Sequence, residues 1–203
     1  MNKFFKKIYQ SRVLLAVLLF GLGGAIWGGF LYAGQHSGYP LTAVGGLILA
    51  IFGGLGLSLY AGSPKRILTV LGLGFVGVVV GFGIAGLGIY PLLIWGTNIF
   101  AVFPSILVDL IKVEPNLKVG AYWLNFAIAG GFIGLFFALG LRKKILPMVL
   151  RGAIGFGLAA IIGPIIGNAI GNLFNALLLN YILTFIIICV IFSVFLTVGM
   201  RKT

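Results

Sequence analysis

Three asparagines, Asn168, Asn172 and Asn175, recur at i, i+4 and i+7, the spacing that puts side chains on one face of a helix. Asn125, Asn180, Thr42 and Thr184 add further neutral polar groups near the same level of an otherwise apolar chain. The chemistry open to such a set is hydrogen bonding, since a carboxamide offers two N–H donors and a doubly accepting oxygen. It suits the recognition of a neutral solute, or the joining of one helix to another. Asn125 is read first as an interhelical hydrogen bonder, with the lining of a solute site as the alternative.

Other chemistry lacks its equipment. Neither paired carboxylates nor a Ser/His/Asp set is present, and the single cysteine, Cys189, has no histidine near it in sequence. His36 is the only imidazole, whereas a metal site needs several ligands. Two matches to the dinucleotide fingerprint occur, Gly72-x-Gly74-x-x-Gly77 and Gly81-x-Gly83-x-x-Gly86. That pattern has meaning only between a strand and a helix of a βαβ unit. Here it falls among many glycines within one long apolar run, so no phosphate loop is expected. The expectation is therefore no enzyme, no cofactor and no metal.

The elements that must position these residues follow from composition. Charged residues make up 8% of the chain and hydrophobic ones 61%, whereas a soluble domain is about 25% charged. A chain with so little polar surface has lipid as its main solvent. Spans of about 20 apolar residues are expected near 13–33, 41–61, 67–93, 121–141, 145–167 and 181–199. They fill residues 1–203 as one transmembrane domain.

The net charge of +12 is distributed by side. Lys3, Lys6, Lys7, Arg12, Lys65, Arg66, Arg142, Lys143, Lys144, Arg151, Arg201 and Lys202 all fall at alternate loops or at the termini. The remaining two, Lys112 and Lys118, share the opposite side with both acids, Asp109 and Glu114. This is the positive-inside pattern, and it predicts both termini in the cytoplasm. Anionic lipid headgroups then account for the basic rims, and no nucleic-acid partner is expected. The layout suits a multi-pass protein of the cell membrane, of the prokaryotic cytoplasmic kind. The first apolar run continues to Ala33 without a small-residue cleavage site and is read as an uncleaved first helix.

Glycine supplies the packing signal. Gly24 and Gly28, then Gly74, Gly77 and Gly81, then Gly130 and Gly134, then Gly163, Gly167 and Gly171 form small-residue faces. Such faces let backbones approach in lipid, where no hydrophobic force drives helices together. The predicted fold is all-α, with six glycine-rich helices in three hairpins. Tyr-x-Leu-Thr, Tyr-x-Leu-Asn and Tyr-x-Leu-Thr at residues 39, 122 and 181 mark the outer ends of the even helices. There the tyrosines would lie in the interfacial belt. A 3+3 inverted repeat is the rival arrangement. Two short outer interfacial helices are expected, one over Pro104–Lys112 and one carrying the asparagine face beyond Pro164. The sixth helix, free of glycine until Gly199, is expected to face lipid or a partner.

Acids, histidines and basic residues are missing from the depth of every span, Arg151 being close enough to the inner interface to snorkel, which argues against a proton relay or a voltage sensor. Two functional readings result. One is a transport-type protein (a channel, carrier or solute-capture subunit) for a neutral or apolar small solute, not proton-coupled. The other is a structural or assembly subunit of a larger membrane complex. In both, glycine faces promote homo- or hetero-oligomers.

Overall fold

A computed structural model describes residues 3–37, 42–95 and 123–201, with side chains over 11–34, 45–85, 123–198 and at Met200. All regular structure among these residues is helical. The elements are α1 (Lys3–Ser37), α2 (Thr42–Tyr60), a 3-10 turn (Pro64–Arg66), α3 (Ile67–Trp95), α4 (Trp123–Leu141), α5 (Ile145–Leu173) and α6 (Leu177–Arg201). Five stretches are long and apolar enough to cross a membrane: Ser11–Gly34, Pro64–Ala85, Trp123–Leu141, Ile145–Leu173 and Leu177–Val198. The described apolar part of α2, Gly45–Tyr60, is shorter. These features are those of a multi-pass membrane protein.

Each helix packs on its neighbours in the chain, and α6 returns to pack on α1, closing a ring. Every seam of the ring is antiparallel, as glycine contacts show. A Cβ added at Gly56 would meet Ala16 and one at Gly45 would meet Trp27, pairing α2 with α1 in opposite directions. Gly46 and Gly54 face Val78 and Leu71 on α3. Gly77 and Gly81 face Ile133 and Ala129 on α4, and Gly130 and Gly134 face Gly152 and Met148 on α5. Gly24 and Gly28 meet the carbonyls of Phe185 and Tyr181 on α6. The same absence of a side chain that brings backbones close also aims a glycine Cα–H at a carbonyl across the seam. Such contacts contribute about 0.5–1 kcal/mol each.

Glycine in the left-handed region matters at one turn. Gly62 has φ 65°, and beside it Ser63 N–H donates to Ser58 O and Gly62 N–H to Leu59 O. That is a Schellman cap at the end of α2. α4 ends the same way at Arg142 (φ 53°) and α5 at Asn175 (φ 48°). The paired bonds there are Lys143 N–H to Ala138 O with Arg142 N–H to Leu139 O, and Ala176 N–H to Gly171 O with Asn175 N–H to Asn172 O.

One end of the ring is basic. Arg66 donates from Nη1 to Leu141 O at the end of α4 (3.4 Å), and Arg151 donates to Val198 O near the end of α6. A Cβ on Gly62 would stand 3.1 Å from Arg12 Nη1, so that guanidinium lies at the end of α2. For the pairs α1–α2, α3–α4 and α5–α6, an arginine on the first helix or in the turn just before it therefore lies at the C-terminal end of the second. The carbonyls left without helical donors, and the negative end of the helix dipole, both favour a cation there.

Three expectations need correction. The asparagines are not borne on a separate interfacial helix, because α5 runs without interruption through Pro164 to Leu173. Pro164 removes one N–H, that which would bond Ala160 O, yet α5 is clamped on both flanks by α4 and α6 and continues past it. Tyr181 is not in a lipid-facing belt: it is buried and its ring lies 5.9 Å from that of Tyr32. Nor is α6 a lipid-facing outlier, since it packs along both α5 and α1, with Ile188, Cys189, Phe192 and Leu196 fully buried. The outer helix expected over Pro104–Lys112, and the tyrosines of the first two motifs, Tyr39 and Tyr122, lie outside the described residues.

Candidate functional site

The seam between α5 and α6 brings together the sequence's glycines and its polar groups. Gly163, Gly167 and Gly171 of α5 lie against Ile188, Thr184 and Asn180 of α6, respectively. Both sets are spaced by four, and the helices run in opposite directions, so each side chain of α6 seats on one glycine. A Cβ at Gly167 would collide with Thr184 Oγ1, and one at Gly171 with Asn180 Oδ1. The glycines thus make room for the oxygens. Asn180 also donates from Nδ2 to Asn172 Oδ1 at 3.3 Å.

This accounts for part of the polar set and leaves a remainder. Thr184 Oγ1 and Asn180 Oδ1 have no hydrogen-bond partner, although Thr184 is fully buried and Asn180 nearly so. Each faces the glycine on which it is seated, whose Cα–H is only a weak donor. Asn168 is more extreme. It is 4% exposed, and neither its Nδ2 nor its Oδ1 is paired. An unsatisfied buried polar group costs about 1–3 kcal/mol, so this amide is held in place against a local penalty. It lies one turn beyond Pro164, on the helix whose Ala160 carbonyl lost its donor to the proline.

The remaining candidate residues separate from this group. Asn172 and Asn175 are exposed, with Asn175 serving as the left-handed cap residue rather than as a third member of a face. Asn125 is half-buried near the start of α4. The side chain of Thr42 lies outside the described ones. Gly24, Gly28, Gly74, Gly77, Gly81, Gly130, Gly134, Gly163, Gly167 and Gly171 all face another helix or its side chains, Gly74 meeting the Phe137 ring. Both fingerprint matches lie inside α3, and their glycines diverge. Gly74, Gly77 and Gly81 turn to α4, while Gly72 and Gly83 meet nothing within 4 Å.

The middle of the ring is filled by aromatic rings. Phe156 of α5 stacks on Phe192 of α6 with centroids 4.5 Å apart, and Phe126 of α4 meets Phe156 edge-on at 5.0 Å. Contacts also cross between helices that are not ring neighbours. Phe82 of α3 reaches Trp27 of α1 at 6.1 Å and Phe156 of α5 at 6.1 Å. Trp27 in turn lies 4.7 Å from Phe185. Glycine on α2 makes room for this layer, because a Cβ at Gly53 would stand 2.8 Å from Phe20 and 3.4 Å from Phe137. Ring faces and edges packed this way fill the space between helices on opposite sides of the ring.

Sequence reasoning missed this plug. Its signal was present: Phe20 and Trp27, and likewise Phe185 and Phe192, are seven residues apart, two turns of one helix face. It also missed Trp27, whose Nε1–H is buried without an acceptor because Gly45 occupies the space before it. Toward the basic end a second polar layer contains Ser58 and Ser193, both without partners, and Tyr60, whose hydroxyl donates to Thr197 O at 3.1 Å. Among the described residues no cluster of three or more metal-ligating side chains occurs. No protein-family model matches the chain, and comparison with characterised proteins and with solved structures found no significant match.

Proposed function

We propose that this chain is a multi-pass protein of the cell membrane, with both termini cytoplasmic, that captures a small neutral solute in the half of the ring away from its basic end. The observation supporting this reading is the Asn168 amide, buried with donors and acceptor unmet. Thr184 Oγ1 and Asn180 Oδ1, on the facing helix, add unmet acceptors along the same seam. Neutral hydrogen-bonding groups in an apolar surround discriminate by complementarity. A solute that meets the amide satisfies its donors and acceptor, and one without matching groups leaves them unpaired. The aromatic layer lies below as a floor, so passage would require the rings to part while capture would not. Capture, rather than an open channel, is therefore the form of transport-type function that the geometry favours.

A panel of small neutral polyols, amides and nucleobases, tested against the purified protein by thermal melting, is the direct test. A binder should raise the melting temperature of the wild type and leave Asn168→Leu unmoved. If no member shifts the wild type, and Asn168→Leu is simply more stable under all conditions, the amide is a tolerated defect and the capture reading fails. A second reading, as an assembly subunit, is supported by Gly29, Gly72 and Gly83, which have open space where a Cβ would stand. Those glycines offer a partner helix close approach.

A further inference from the structure

We infer that the α4–α5 face is a binding site for one anionic phospholipid, its acyl chain in an apolar groove and its phosphate at the loop joining the two helices. The groove has a volume of about 320 Å³ and is lined by Ile128, Gly131, Phe132 and Leu135 of α4 with Val149 and Ala153 of α5. No polar atom lines it. Toward the basic end the same face continues through exposed Leu139 and Leu146 to Arg142, Lys143 and Lys144. Leu135 precedes Arg142 by seven residues and Ile128 by fourteen, so the groove lies roughly 10–21 Å from the loop at ~1.5 Å per residue. The near part of the groove, around Leu135, is thus at the depth of a chain whose headgroup sits at the loop, given a leaflet of about 15 Å, half of a ~30 Å hydrocarbon core. The far end, at Ile128, is where the tip of that chain would reach the midplane.

Charge selects the lipid. Arg142 and Lys144 are exposed, Lys143 is half-buried, and Arg66 is drawn to the same place by Leu141 O. No acid occurs among the described residues, so these cations have no carboxylate there. They also stand at the N-terminal end of α5, where Lys144 occupies the N-cap position without a side-chain cap bond and the first turn has no acid. Cations at the positive end of a helix dipole repel it, and an anion between them reverses the sign of that interaction. A phosphate diester with a chain attached answers both the loop and the groove. A zwitterionic lipid brings its own cation to the loop, and a partner helix brings no anion.

The test uses the full chain in a neutral detergent, with native mass spectrometry and two lipids of identical chains, phosphatidylglycerol and phosphatidylcholine. Phosphatidylglycerol should be retained about tenfold or more in preference, as expected for three basic residues beside one phosphate. Arg142→Gln/Lys143→Gln/Lys144→Gln should abolish the preference. Phosphatidylglycerol with a photoreactive group at mid-chain should crosslink to peptides spanning 128–135 and 149–153 in the unmutated protein. Excess inorganic phosphate should not displace it, because the ion has no chain for the groove. Equal retention of both lipids, an unchanged preference in the triple variant, displacement by phosphate, or label spread evenly over all helices would each overturn the assignment. So would a protein that is dimeric in detergent with this face unlabelled, since a second copy would then cover it.

Discussion

Gly130 and Gly131 are adjacent on α4 yet meet different surroundings, so one added methyl should act in opposite directions. At Gly130 a Cβ would stand 2.5 Å from Phe156 Cβ and run into the carbonyl oxygen of Gly152. At Gly131 the nearest atoms are Ala153 Cβ at 3.6 Å and Val149 Cγ1 at 3.8 Å. Carbon atoms rest at about 3.5–4.0 Å, so Gly130→Ala must part α4 and α5 by roughly 1 Å. No rotamer relieves it, because the obstacle includes backbone. Overpacking of this kind costs about 1–3 kcal/mol. The parting also weakens the reciprocal contacts in which Gly130 and Gly152 each point a Cα–H at the other's carbonyl, about 0.5–1 kcal/mol apiece. Alanine's helix preference returns about 1 kcal/mol. The net loss is then about 1–4 kcal/mol at Gly130, against a gain of up to about 1 kcal/mol at Gly131. At about 2–4 °C per kcal/mol for a chain of this length, the two variants should differ in melting temperature by roughly 2–20 °C. Cys189 provides the assay, because it is the only cysteine and is fully buried, so a thiol-reactive fluorophore reports its exposure on heating. Melting within a degree or so of each other would refute the account of how glycine builds the seams.

Two further outcomes are expected. Asn175 holds the left-handed position of the α5 cap (φ 48°), so Asn175→Gly should be neutral or stabilising and Asn175→Val destabilising by about 1 kcal/mol or more, read by the same thiol assay. Single cysteines at Ser37 or Asn116 should react with an impermeant maleimide added to intact cells, and ones at Ser63 or Lys143 should not. The reverse pattern would show that the basic end is external.

The sequence by itself determined the solvent and the segments. Too few charged residues for a watery surface, long apolar runs and paired basic residues between them require helices that bury their own backbone hydrogen bonds. That is why the helices other than α2 and α4 reach or overrun their expected bounds. It also held the glycine spacing, since a face built from residues four apart is a local property of one helix. Which faces meet is not local. Gly163, Gly167 and Gly171 read as a generic smooth stripe until α6 places Ile188, Thr184 and Asn180 on them, and nothing in either segment alone names the other. Asn168, Asn172 and Asn175 have identical side chains at helical spacing, but the flanking helices bury the first, leave the second exposed and set the third in a left-handed turn. The aromatic plug depends on closure of the ring, for Phe82 and Trp27 are 55 residues apart in the chain and on helices that are not ring neighbours. In an apolar chain, hydrophobicity cannot select partners, because lipid satisfies every apolar side chain equally well. Only steric fit and the few polar atoms can do so, and both are decided when the helices assemble.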